Sequence, residues 1–270
     1  MAITTLDGAI AGMQPPRFIA KASTPAMVAG RPQSLWSLGG SPGAGAYDAT
    51  LNGVVLSSTA AQVAGQLPCF DPASLNQYLA RFSATCTQIG QVLLLDRLWH
   101  NGGYNVTTLT AQSSTTPTWP ARSSDGTTNG DAVLLAVEVS AATGAGTPTI
   151  TISYTNQAGT AGRTATNIIA TVATSAIGAT YLIGLQAGDS GVRSVQSLTL
   201  SATWTSGTIN LVAYRFLASV DINAVGVSNS ADVITSGFPR LYNGTVPYLA
   251  FIPSSTAAMT LTGSFVATQG

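Results

Sequence analysis

From Tyr78 the chain alternates strictly. Tyr78, Ala80, Phe82, Ala84 and Cys86 fall on one face and Leu79, Arg81, Ser83, Thr85 and Thr87 on the other, the period of a half-buried β-strand. Gln88-Ile89-Gly90 then offers a turn, and residues 91–99 form an almost continuous apolar run that stops at Asn101-Gly102-Gly103. The length and the stop predict a central strand paired with its predecessor. Further runs at 106–111, 132–140, 149–154, 168–174, 180–185, 195–204 and 208–217 are separated by turn pairs such as Asp125-Gly126, Asn129-Gly130, Ala187-Gly188 and Ser206-Gly207. Strands rich in Thr, Val and Ile with this punctuation predict an all-β fold. About eight of them over about 140 residues predict an antiparallel, jelly-roll-like β-sandwich. No fixed period recurs, which argues against a propeller or solenoid.

The two ends differ from this middle. In residues 1–46, proline recurs about every eighth position, which is expected to forbid a helix. Yet Phe18, Ile19, Met27, Val28, Leu35, Trp36 and Leu38 make the segment too apolar for a free linker. It reads as an extended N-terminal arm that docks on a neighbouring subunit. Residues 47–220 form the sandwich, and residues 221–270 a C-terminal β extension with strands at 246–252 and 259–266. The residues expected at an intersubunit interface are Phe18, Ile19, Leu35, Trp36, Tyr242, Tyr248 and Phe251.

Composition sharpens the picture. Ten Lys and Arg balance ten Asp and Glu, and the 7% of charged residues falls far below the roughly 25% of an ordinary soluble domain. In their place stand 36 Thr, 27 Ser and 28 Gly, with a single lysine, Lys21, and a single glutamate, Glu138. A chain without a basic excess lacks what nucleic acid or an anionic membrane surface requires, so neither is an expected partner. The uncharged stretches 164–188 and 241–270 are broken by polar residues and prolines and read as strands, not spans. The start has neither a basic segment nor a long apolar one, so synthesis in a cytoplasm is expected. Cys69 and Cys86 are too few for a disulfide framework, and their pairing stays open.

Candidate chemistry is sparse. His100 is the only histidine, at a strand end and without a Gly-x-Ser-x-Gly elbow, so a structural role is expected. The aspartates are scattered, many at turn positions such as Asp71-Pro72 and Asp189-Ser190-Gly191. Asp125, Asn129 and Asp131 bring oxygens together within one loop, but without calcium-loop spacing. The glycine-rich segment 39–45 lacks a P-loop lysine and reads as a flexible joint. Asp96-Arg97 inside an apolar strand, with Arg193 and Arg215 near or in others, predicts an ion pair across a sheet. The four tryptophans could stack on sugars but are expected in the core. No catalytic residue, metal or cofactor is expected.

Leu95-Asp96-Arg97-Leu98-Trp99, Trp119-Pro120-Ala121-Arg122, the loop from Asp125 to Gly130, the stretch from Ser153 to Arg163 and that from Leu185 to Gln196 together resemble tailed-phage virion structural proteins. The resemblance covers residues 30–220 as a pattern, without a catalytic signature. It implies a non-enzymatic component of the capsid surface: a decoration or cement protein, assembled with itself as a trimer and bound to the major capsid protein. The alternative is a tail-fibre or receptor-binding module that recognises host glycans.

Overall fold

In the computed structural model, residues 3–69, 75–233, 237 and 239–270 are described. Asp71-Pro72, read above as a turn, lies outside them. Two antiparallel sheets pack together as a β-sandwich. The smaller runs β14 (Asn229–Asp232), β5 (Gln77–Cys86), β17 (Leu261–Gln269), β1 (Arg17–Lys21) and β3 (Gly40–Ser41), with β15 (Arg240–Leu241) also on β5. The larger begins with β2 (Gln33–Ser34), β16 (Pro247–Pro253), β6 (Gly90–Asn101), β13 (Thr208–Ile222), β8 (Val133–Ala141) and β11 (Thr180–Gly184). It continues through β10 (Arg163–Asn167), β9 (Ile150–Asn156), β12 (Val192–Leu200) and β7 (Gln112–Ser113), while β4 (Val54–Val55) pairs with β6. Among the described residues, no helix is long and apolar enough to cross a membrane.

The expected hairpin between the first two strands does not form. β6 takes its hydrogen bonds from β13 and β16, and β5 pairs with β17, β14 and β15 in the other sheet. The turn after Cys86 carries the chain across the sandwich, because Phe82, Ala84 and Cys86 then face Val92 and Leu94 in one core. Both apolar faces are covered by facing each other; side-by-side pairing would leave them on one open surface.

β5 is also not evenly phased. Opposite β17 its register skips Ala80, with Arg81 facing Val266 and Leu79 facing Ala267. One extra residue turns the following side chains to the other face. Leu79 is therefore buried and Tyr78 only half-buried, the reverse of the simple alternation.

The core is divided. Val92, Leu94, Leu217, Val220 and Phe251 pack with Phe82 and Phe265 between the sheets. Leu98, Trp99, Leu211 and Ala213 belong to a second cluster beneath β8, β9, β11 and β12, with Trp119, Tyr154 and Trp204. Trp99 is thus not in the core of Phe82 and Cys86, where the unbroken sequence pattern would place it. β6 and β13 run through both clusters. A register skip at Leu98 and another at Leu217 re-aim their side chains along the way. A third cluster, with Trp36, Leu95, Val212 and Tyr248, fills the opposite face of the same strands.

Residues 1–46 are woven into the sheets. Thr5 caps a one-and-a-half-turn helix, α1 (Leu6–Ala11), by accepting a 3.0 Å hydrogen bond from Gly8 N. It forms, against expectation, because the prolines begin only at Pro15. β1 pairs with β17 over five residues and β2 with β16. Two expected strands, 106–111 and 168–174, are irregular: Val106 accepts from Trp204 N, and the Asn167 side chain bonds Ile150 N and Ile169 O to end the ladder at that point.

Candidate functional site

Among the described residues, seven charged side chains, Lys21, Arg31, Asp96, Arg97, Arg122, Glu138 and Arg215, are buried. Five of them converge around β6. Arg97 points to the face of Leu93 and Leu95, and Asp96 to the opposite one. Arg97 Nη1 donates to both oxygens of Glu138 at 3.0 and 2.8 Å, with both side chains fully buried. The guanidinium also lies 4.6 Å from the Trp36 ring centre and 5.2 Å from that of Tyr248. On the other face, Asp96 Oδ1 accepts from Val246 N at 2.9 Å, while Oδ2 sits 3.4 Å from Arg122 Nε and 3.7 Å from Arg215 Nη2. The ion pair expected across the sheet between Asp96 and Arg215 is present, because the two residues are register partners on β6 and β13.

His100 completes this network. Its Nδ1 accepts from Arg97 Nε at 3.3 Å, which requires a neutral ring. Burial, and then the Arg97 charge, lower its pKa to about 3. Burial and the Glu138 carboxylate push the Tyr214 and Tyr248 phenols upward, so both stay protonated. Glu138 and His100 are spent on Arg97, and Asp96 on two arginines and a backbone amide. These contacts hold strands in place.

Above the Arg97–Glu138 pair the larger sheet forms an apolar basin of about 260 Å³, its sides made by Leu93, Leu134, Leu182, Phe216 and Ile252. Because the pair neutralises itself, the floor presents no free charge. Phe216 is half exposed at the rim.

The expected interface residues separate into two groups. Ile19, Leu35, Trp36, Tyr248 and Phe251 are buried within the chain itself, since β1, β2 and β16 are internal partners of the two sheets. They cannot meet another subunit without unfolding. Trp36 donates Nε1 to Ala46 O, and Gly45 lies so close that a Cβ there would come within 2.3 Å of the indole. The end of the glycine-rich segment is therefore a packed contact. Phe18 remains 64% exposed, and Tyr242 half-exposed beneath the Arg215 and Arg240 guanidiniums.

The sequence reading missed a further set of exposed apolar side chains. Leu6, Ile10 and Met13, spaced four and three residues apart, are 68, 57 and 44% exposed. Ala9 faces inward, Thr268 donates to its carbonyl, and Met13 bridges to the same threonine. Helix and strand thus sit on β17 with their larger apolar side chains outward. The i, i+4, i+7 spacing was the signal that could have found it.

The other expected sites are structural. All four tryptophans are at most 1% exposed and offer no sugar platform. Asp125 accepts from Thr127 N, Thr127 Oγ1 and Asn129 Nδ2, and Asp131 from the Ser124 and Ser190 hydroxyls. Among the described residues, no three His, Cys, Asp or Glu side chains gather as metal ligands. Both cysteines are buried and not joined in a disulfide, and the Cys69 thiol donates to Gln77 Oε1 at 3.4 Å. The segments 153–163 and 185–196 meet at Asp189, which takes both arms of Arg163 at 2.9 and 3.0 Å and Asn156 Nδ2 at 2.7 Å. Those bonds, Arg163 first, hold its pKa down to about 2.

Compared with known proteins, the chain matches no family model, no curated protein and no solved structure.

Proposed function

We propose that this protein is a structural component of a phage particle, a decoration protein that assembles with itself and binds the major capsid protein. The observation that carries the reading is the exposure of the apolar side chains Leu6, Ile10, Met13 and Phe18 on a chain with few charges. Burying apolar side chains of this size contributes about 1.5–3 kcal/mol each before ordering costs. A Ser and Thr surface adds contacts at a smaller loss of rotamer freedom than Lys or Glu would. With Asp96, Glu138 and its one histidine engaged by arginines and a backbone amide, the chain serves as a scaffold. The burial of all four tryptophans favours this reading over the tail-fibre alternative.

The experiment combines cryo-EM of the purified particle with a binding comparison. Density for the chain in many copies over the head, and loss of head binding in a Leu6→Ser/Ile10→Ser/Phe18→Ser variant that melts like the wild type, is the expected outcome. A few copies at the tail, or undiminished binding by the variant, would remove the proposal.

A further inference from the structure

The turn that leads into β2 carries a cation without a counter-ion. Arg31 is 2% exposed, and among the described residues no Asp or Glu oxygen lies within 4.0 Å of its guanidinium. Nη1 donates to the Tyr181 hydroxyl at 2.7 Å and to Ser175 Oγ at 3.3 Å, and the group sits 5.0 Å from the Tyr181 ring centre. These contacts fix the guanidinium and occupy one nitrogen. Nε and Nη2 are buried with no partner.

Those two N–H groups form one edge of a guanidinium and point in parallel, the geometry that takes a carboxylate with two bonds. The other buried arginines face acids, Arg97 with Glu138 and both Arg122 and Arg215 with Asp96. A buried charge is ordinarily paired, because leaving water alone is costly. Arg31 breaks that rule beside open space. It lines a partly open cavity of about 400 Å³ between segment 26–33 and segments 142–143 and 174–179. No other charged residue lines it; Thr143 and Thr174 add hydroxyls, and Ala26, Val28, Ala142 and Ala176 add short apolar walls.

We propose that this cavity binds a monocarboxylate with a short aliphatic body, both oxygens on the Arg31 edge and the body against the small side chains. A single cation balances a single negative charge. A phosphate dianion would bring a second charge to a wall that has nothing to answer it. The same group could arrive as a free acid or as the C-terminus of a peptide, and the site is independent of the assembly reading.

The test is calorimetric titration of the full chain with butyrate, butyramide, inorganic phosphate, and acetyl-Ala-Ala as the free acid and as the amide. Expected are saturable butyrate binding, butyramide weaker by about tenfold or more, and phosphate weaker than butyrate. Arg31→Met should abolish butyrate binding, and Arg31→Lys, which keeps the charge without the fork, should weaken it. Preference for acetyl-Ala-Ala acid over both its amide and butyrate would identify a chain terminus as the source; preference for butyrate, a free acid. Equal binding of butyrate and butyramide, tighter binding of phosphate, no binding of either acid, or an Arg31→Met protein that binds normally would each overturn the site. Should Arg31→Met fail to fold, the comparison of acids with amides on the wild type decides.

Discussion

Arg97 holds Glu138, the only glutamate of the chain, at 2.8 Å between strands β6 and β8, where neither side chain touches water. The pair joins strands on either side of β13. Removing one partner leaves a buried charge uncompensated, so Glu138→Ala should cost about 3–5 kcal/mol. Replacing both by apolar residues of similar size, Arg97→Met with Glu138→Leu, should recover most of that loss. Urea denaturation of the three proteins measures it; a double variant as unstable as the single one would show that the pair supplies more than charge balance.

His100 gives the fold a pH dependence with a defined sign. Its folded pKa of about 3 lies below the ordinary 6.5, so between these values the unfolded chain binds the proton and the folded chain does not. Stability from this group is complete above pH 6.5 and falls as the pH drops toward 3, by at most about 1.4 kcal/mol per pH unit. Melts at intervals from pH 7.5 to 4 should show the wild type losing stability faster than His100→Gln. Parallel curves would assign the acid response elsewhere.

Phe18 and Ile19 are neighbours with opposite environments, 64% and 0% exposed. Ile19→Ala should destabilise by about 2–5 kcal/mol, and Phe18→Ala by less than about 0.5 kcal/mol. Chemical denaturation separates the two, and similar losses would mean that β1 is not placed as described.

Phe82 and Trp99 lie in different clusters, yet β6 and β13 serve both. Phe82→Ala, at a cost of about 3–5 kcal/mol, should therefore shift tryptophan fluorescence and far-UV dichroism together. Two separated transitions would mean that the clusters unfold as independent units.

The Cys86 thiol is buried and its pKa is raised by that burial. A thiol reagent should modify Cys69 and Cys86 only at the rate of unfolding, and rapid reaction in native buffer would contradict their placement.

What the sequence disclosed follows from physics local to each strand. The alternation after Tyr78, the apolar run of β6 and the turn pairs between later strands are short-range signals, and they located most of the sheet. Which strands pair is a long-range property. Nothing within residues 78–99 indicates that β5 and β6 face each other rather than lie side by side, and the skipped Ala80, Leu98 and Leu217 are invisible in a pattern of polar and apolar letters. Burial misled in the same way. Leu35 and Trp36 were correctly read as too apolar for water, but apolarity does not distinguish the chain's own sheet from a neighbour's. Arg31 carried no signal at all, since its unpaired edge exists only once Tyr181 and Ser175 have fixed the guanidinium.

The pairing of β1 with β17 determines how the protein would answer a pull. Arg17 opposes Phe265 and Lys21 opposes Leu261, and Met13 is bridged to Thr268, so both chain ends leave the ladder on the same side. Tension applied through the two ends would open this antiparallel pair as a zipper, loading its hydrogen bonds in succession rather than shearing them together. Resistance to an outward load would then depend on covering that end of the ladder, where the exposed Leu6, Ile10 and Met13 already sit.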